Sequence, residues 1–95
     1  MAAYLIVQST ITDGERYQKY REAVVPLIEK FGGTHVVRGG TVELLEGRHD
    51  GRRMAMFEFP SMEAIHAFWN SPDYVPVKEL RRGIATLDIW AVPGA

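Results

Sequence analysis

The hydrophobic positions change period along the chain. Ala3 to Ile11 (AYLIVQSTI) is rich in β-branched and aromatic residues and predicts a strand. Tyr4, Ile6, Gln8 and Thr10 fall on one face and Leu5, Val7, Ser9 and Ile11 on the other. Both faces begin apolar, so both are expected to be covered. Thr12-Asp13-Gly14-Glu15 then has the form of a capping box, and a helix should follow with Thr12 as its cap. Tyr17, Tyr20, Val24, Leu27, Ile28 and Phe31 recur at spacings of three and four and make one apolar stripe. Pro26 interrupts that stripe and should kink or split the helix, because it lacks the backbone donor. Gly32 or Gly33 supplies the left-handed residue that ends it.

Period two returns at Thr34 to Arg38. Gly39-Gly40 is either a hairpin turn or a bulge in one long strand; the bend is favoured here. On that reading the strand continues through Thr41 to Glu46 and pairs with Arg52 to Phe59 across the polar loop Gly47 to Gly51. Ser61 is an N-cap with Glu63 in the first turn, and Met62, Ile65, Phe68 and Trp69 form the stripe of a short helix. Asn70-Ser71-Pro72 breaks it and starts another, with Ser71 as cap. Arg81-Arg82-Gly83 is a helix end, and Ile84 to Val92 is the last strand. Strand, helix, strand, strand, helix, strand is the ferredoxin-like βαββαβ plan, an α+β fold. It puts the helices on one face of a four-stranded antiparallel sheet.

Composition narrows the function classes. Ninety-five residues make a single domain spanning 1–95. A formal net charge of −1 provides no basic face for nucleic acid. Cysteine is absent, so neither a disulfide nor a thiolate nucleophile is available. The apolar run Ala2 to Val7 is too short for a signal peptide or a membrane span, which makes a cytoplasmic protein the expectation.

Alternation assigns the sheet's two faces. The helix side should take Leu5, Val7, Val37, Ala55, Phe57, Phe59, Leu87 and Ile89. The opposite side should take Tyr4, Ile6, Gln8, Thr10, Val36, Arg38, Met54, Met56, Glu58, Thr86, Asp88 and Trp90. A sheet face that apolar is not left in water, and stacking two copies would cover it. A homodimer through the sheet face is therefore expected, with Arg38, Glu58 and Asp88 at a partly polar cavity or at the interface.

Those three charges are the candidate catalytic set. Arg38 would orient a small anionic or carbonyl ligand, and Glu58 or Asp88 would move a proton. The bland alternative is an ion-pair network, since buried charges need partners. Tyr17 and Tyr20, whose stripe position equally fits core packing, are candidate ligand-binding residues with Asn70 and Tyr74 at the helix break. Glu46 completes the set, against the simpler role of a solvated turn residue. Glu63 and His66 have the spacing of a metal-binding helix pair, but no second ligand motif accompanies them, so neither a metal nor a cofactor is expected. There is no nucleophile elbow and no phosphate loop.

Several of these segments carry a family resemblance: Tyr4 at the strand start, Tyr17 with Tyr20, FGG at Phe31 to Gly33, the block from Arg38 to Gly47, EFPS at Glu58 to Ser61 and WNSPDY at Trp69 to Tyr74. Together they resemble the "domain of unknown function 1330" family, within the dimeric α/β-barrel superfamily, over nearly the whole chain. Trp69 departs from the pattern, where tyrosine is expected. The resemblance implies a ferredoxin-like fold and a dimer whose sheets form a barrel. It implies no activity. The wider superfamily includes cofactor-free monooxygenases, muconolactone-type isomerases, and dechlorinating and haem-handling proteins, which is analogy of fold. Two functions from different classes stay open. One is a small-molecule binder or cofactor-free enzyme with a pocket between sheet and helices. The other is a non-catalytic assembly module whose polar sheet face serves only homodimerisation.

Overall fold

The computed structural model describes residues 1–95, in the order β1 (Ala3–Ile11), α1 (Gly14–Lys30), β2 (Thr34–Gly40), β3 (Arg53–Phe59), α2 (Met62–Trp69), α3 (Tyr74–Glu79) and β4 (Ala85–Pro93). The four strands form one antiparallel sheet in the order β2-β3-β1-β4. That is the ferredoxin-like arrangement, with the two strands that flank the first helix separated by β3. No helix is long and apolar enough to cross a membrane.

The helix boundaries follow from where the hydrogen bonds go. Asp13, not Thr12, caps α1, and its side chain accepts from the Arg16 backbone. Thr12 is engaged elsewhere: its N–H and its hydroxyl both donate to the Ile84 carbonyl, at 2.9 and 3.0 Å. Pro26 sits inside α1 without splitting it. At the far end Gly32 takes a φ of 90° and Gly33 packs where no side chain fits, since a Cβ there would meet Ile28 Cγ2 at 2.4 Å and Phe59 Cζ at 2.9 Å. Ser61 caps α2 as expected, accepting from Ala64. Ser71 does not cap α3; its hydroxyl accepts from the Asp73 backbone and shapes the turn before the helix, which begins at Tyr74.

The expected strand over Thr41 to Glu46 is absent, and residues 41–52 form an irregular loop. The reason lies in pairing. β3 has β1 on one edge, and Thr34–Gly40 already occupies the other. No edge remains for a further segment.

One correction matters for function. β2 carries two register shifts, between His35 and Val37 and between Val37 and Gly40. A bulge moves the following side chains to the opposite face. Val37 therefore pairs with Met56 on the open face instead of joining the helix side. Arg38, next in line, moves the other way and lines the space under α1.

The core is a layer of Leu5, Phe57 and Phe59 from the sheet against Tyr20, Leu27 and Ile28 from α1 and Ile65, Phe68 and Tyr74 from α2 and α3. Phe59 and Phe68 are its largest fully buried side chains. Their rings lie 6.0 Å apart, and Phe68 meets Tyr74 at 4.7 Å, within the range of favourable tilted contacts.

Candidate functional site

The helical spacing of α1 turns Tyr17, Tyr20, Val24 and Ile28 towards the sheet, whose inner face presents Leu5, Val7, Ala55, Phe57, Leu87 and Ile89. The two surfaces do not meet throughout. Between them lies a cavity of about 780 Å³, closed at one side by Phe68, Trp69 and Tyr74. That volume suits a small organic ligand, and the mixture of an apolar wall with a few polar groups is what such sites have.

The ionisable groups come from four elements. α1 contributes Tyr17, Tyr20, Arg21 and Glu29; β2 contributes His35 and Arg38; β3 contributes Arg53; α3 contributes Tyr74. The Tyr20 and Tyr74 hydroxyls are 3.0 Å apart and buried. One donates to the other, which leaves the pair with one O–H proton for a further acceptor. Burial and the neighbouring Tyr74 hold the Tyr20 phenol far above its ordinary range. Burial also raises Tyr17, against the pull of Arg21 and Arg81. Both phenols are donors at any physiological pH. Behind them the Arg81 guanidinium lies 5.6 Å from the Tyr20 ring, and its Nε is buried without a partner.

His35 faces the same space. Its ring stacks on Phe57, with centroids 4.2 Å apart and planes 21° from parallel. Its Nε2 is buried and has no hydrogen-bond partner. Burial lowers its pKa, and the charges of Arg38 and Arg21 lower it further. The imidazole is therefore neutral near pH 7 and keeps a lone pair. Arg21, Arg38 and Arg53 take part in no ion pair: the salt bridges of the molecule join Lys30 to Asp73, Arg82 to Glu79, and Arg52 and His49 to acidic partners.

A model of the family described as domain of unknown function 1330 matches residues 2–95. The chain belongs to this family. No curated protein matches the chain. Among solved structures, this DUF1330 member is similar to RPA0582 from Rhodopseudomonas palustris, described as a protein of unknown function: 18% identity, TM-score 0.77, covering 99% of this chain and 82% of that one. It is similar to SnoaB from Streptomyces nogalater, described as a cofactor-independent oxygenase, at 10% identity and TM-score 0.69, covering 99% and 93%. It is also similar to a dimeric ferredoxin-like protein of unknown function from Jannaschia sp. CCS1, at 10% identity and TM-score 0.63, covering 99% and 100%. At such identities the likeness is one of fold.

The candidate residues of the DUF1330 chain divide between the two faces. Arg38, Tyr17, Tyr20 and Tyr74 line the cavity. Glu58 and Asp88 do not join them. Glu58 is on the open face, where it accepts from the Tyr4 hydroxyl at 3.2 Å. Asp88 is also there, held by Arg52. Asn70 is the exposed C-terminal cap of α2, and Glu46 is exposed in the 41–52 loop; neither lines the cavity. The expected trio is thus split by the β2 bulge, and the carboxylates have no part in the cavity.

Two groups were missed by sequence reasoning. His35 has the same parity as Val37, so alternation alone would have sent it to the helix side, next to Phe57. The second is a cluster that the returning loop lays on the open face. Arg52 donates to Asp50 at 2.7 Å, to Asp88 at 2.5 Å and to Gln8 Oε1 at 3.2 Å. Gln8 Nε2 lies 2.8 Å from His49 Nε2, and Gln8 itself is buried. No local pattern announces contacts between residues 36 to 44 positions apart.

Proposed function

We propose that this protein is a homodimer that binds a small organic molecule in the cavity between α1 and the sheet, and that its chemistry there is proton transfer or cofactor-free oxidation. One observation carries the reading: the cavity joins an apolar wall to convergent polar groups, among them three arginines in no ion pair and the unbonded Nε2 of His35. Arg38 orients the ligand, the Tyr20–Tyr74 pair donates to it, and Tyr17 borders it. The description of SnoaB as a cofactor-independent oxygenase supports looking in this fold for chemistry without a metal or a coenzyme.

The homodimer rests on the open sheet face. Trp90 is 47% exposed there and Val36 48%, beside the half-buried Ile6, Met54 and Met56. A second copy covers them, with Glu58 and Asp88 at the interface. Two similar structures are described as dimeric ferredoxin-like proteins, which supports a dimer.

A thermal-shift screen against small aromatic acids, lactones, phenols and haem tests the reading, with the oligomeric state recorded alongside. Ligand that binds only the folded protein raises its melting temperature. Expected is a class of hits that Arg38→Ala erases while the dimer persists. The second reading is pure assembly, and the mutual pairing of Arg52, Asp50 and Asp88 on the open face favours it. It expects no hits from any compound, and monomers from Trp90→Glu.

A further inference from the structure

We infer that the cavity takes a planar organic anion with an acidic C–H next to a carbonyl, and that His35 is the residue that accepts its proton. This rests on the reading of the cavity as a ligand site and names the class of ligand and the residue that acts on it.

The charge of the cavity selects an anion. Its polar rim presents the guanidinium groups of Arg21, Arg38 and Arg53 against the single carboxylate of Glu29. None of these arginines is paired with an acid. Arg21 donates only to Gln18 Oε1, at 3.4 Å, and leans over the Tyr17 ring at 5.3 Å. Guanidinium groups are suited to hold a carboxylate through two parallel hydrogen bonds. The wall selects a flat apolar body. Phe57, Phe68, Trp69 and the tyrosines line the interior, so an aromatic or conjugated group has ring surfaces to pack on.

His35 is the one imidazole in this space. It has a fixed ring plane from its stack on Phe57, no acid to hold it protonated, and a buried nitrogen without a partner. Buried polar groups are nearly always bonded, so the bare Nε2 is the nitrogen of this site with most to gain from a bound group. The other titratable side chains facing the cavity are less suited to accept a proton from a ligand held against the wall. Tyr17, Tyr20 and Tyr74 are phenols, Arg21, Arg38 and Arg53 are permanent cations, and Glu29 is an exposed carboxylate at the rim.

The step balances within the site. The C–H bond next to the carbonyl breaks, and its proton goes to the imidazole of His35. The electron pair left on carbon delocalises to the carbonyl oxygen, giving an enolate beside the guanidinium groups. The imidazolium then returns a proton, to oxygen to give the enol or to carbon to regenerate the keto form. No oxidant or reductant is needed. The net reaction is keto–enol exchange, the first half of an isomerisation.

Phenylpyruvate is the probe, because it is anionic, carries an aromatic ring and enolises to a flat conjugated form. Binding is read by calorimetry, with its methyl ester as the uncharged control. Proton transfer is read by NMR, as deuterium entering its CH₂ group in D₂O. Expected is tighter binding of the acid than of the ester, and exchange at least about 10²-fold above buffer, saturating with phenylpyruvate. His35→Gln should bind phenylpyruvate within about threefold of wild type and lose about 10²-fold or more of the exchange rate, on the usual scale of a lost acid–base group. His35→Asn is the second variant if His35→Gln does not fold, and the His49→Gln control should exchange like wild type. Equal binding of ester and acid overturns the ligand class. Wild-type exchange in a folded His35 variant, or loss of binding along with exchange, overturns the role of His35 as base. Failure of every compound in the thermal-shift screen would instead overturn the underlying cavity reading.

Discussion

Removing the two hydroxyls that join α1 to α3 gives the sharpest test of the cavity's geometry. Tyr20 and Tyr74 are 5% and 2% exposed, and their oxygens are 3.0 Å apart. Tyr20→Phe deletes one partner and leaves the Tyr74 hydroxyl buried. A net hydrogen bond is worth about 1 kcal/mol, and an orphaned buried hydroxyl costs about 1–3 kcal/mol. Arg81 stands beside the pair and takes up part of that loss. Each single variant should therefore lose about 1–2 kcal/mol. The double variant, Tyr20→Phe with Tyr74→Phe, removes both hydroxyls, so neither is orphaned, and only Arg81 loses its phenol neighbours. It should lose about as much as one single variant, so the double-mutant cycle returns a coupling of about 1 kcal/mol or more. Urea melts at constant slope measure it, and in a domain of this size each 1 kcal/mol moves the melting temperature by about 4–8 °C. Single losses that add to the double loss within about 0.5 kcal/mol would refute the reasoning. The hydroxyls would then answer to water or to Arg81 separately, and the α1–α3 closure of the cavity would lose its polar link.

Other variants probe the remaining elements. Gly33→Ala forces a Cβ into Ile28 and the backbone beside it, and should cost about 1–3 kcal/mol in a urea melt. Gly14→Ala meets nothing within 4 Å and should stabilise by about 0.4–1 kcal/mol, so equal effects of the two changes would sink the close-approach argument. The lowered pKa of His35 predicts acid sensitivity: between its folded value and 6.5 the unfolded chain binds the extra proton, so stability is present above pH 6.5 and falls as pH drops below it. Melting temperatures across that window should fall more steeply for wild type than for His35→Gln; parallel slopes would contradict the assignment. Arg52→Ala releases the return of the 41–52 loop from Gln8 and Asp88. Chymotrypsin should then cut the exposed Leu44–Leu45 tip faster than in wild type, with α1 and the sheet intact by circular dichroism.

Periodicity was enough to find the elements, because each strand and helix buries a patterned face. It failed where pairing or competition decides. Thr41 to Glu46 is as rich in strand formers as many strands, but β3 has no free edge to receive it. Thr12 is as good a cap as Asp13 by type, yet a contact with Ile84, 72 positions away, claims its hydroxyl. The site was half legible for the same reason. Tyr17 and Tyr20 follow from helical spacing, which holds, and Tyr74 from its place at the helix break. Arg38 was placed by strict alternation, which the β2 bulge breaks.

That bulge is also what separates the two kinds of charge in the molecule. On the open face Arg52 is surrounded by Asp50, Asp88 and Gln8, so the guanidinium is satisfied and contributes to holding the loop on the sheet. Had β2 run in regular register, Arg38 would have joined that face. Its displacement under α1 puts a cation beside the neutral imidazole of His35, with no acid to pair it. Arg38 stays exposed to solvent, so water carries its charge in the free protein, and an anion at the cavity rim would take the place of that water. Asp50 and Asp88 are paired with Arg52 on the open face, whereas Arg38 at the cavity has no acid partner. Exposed and unpaired, Arg38 is open to an anion at the cavity rim, and loss of the thermal shift in Arg38→Ala is the result that would show one binding there.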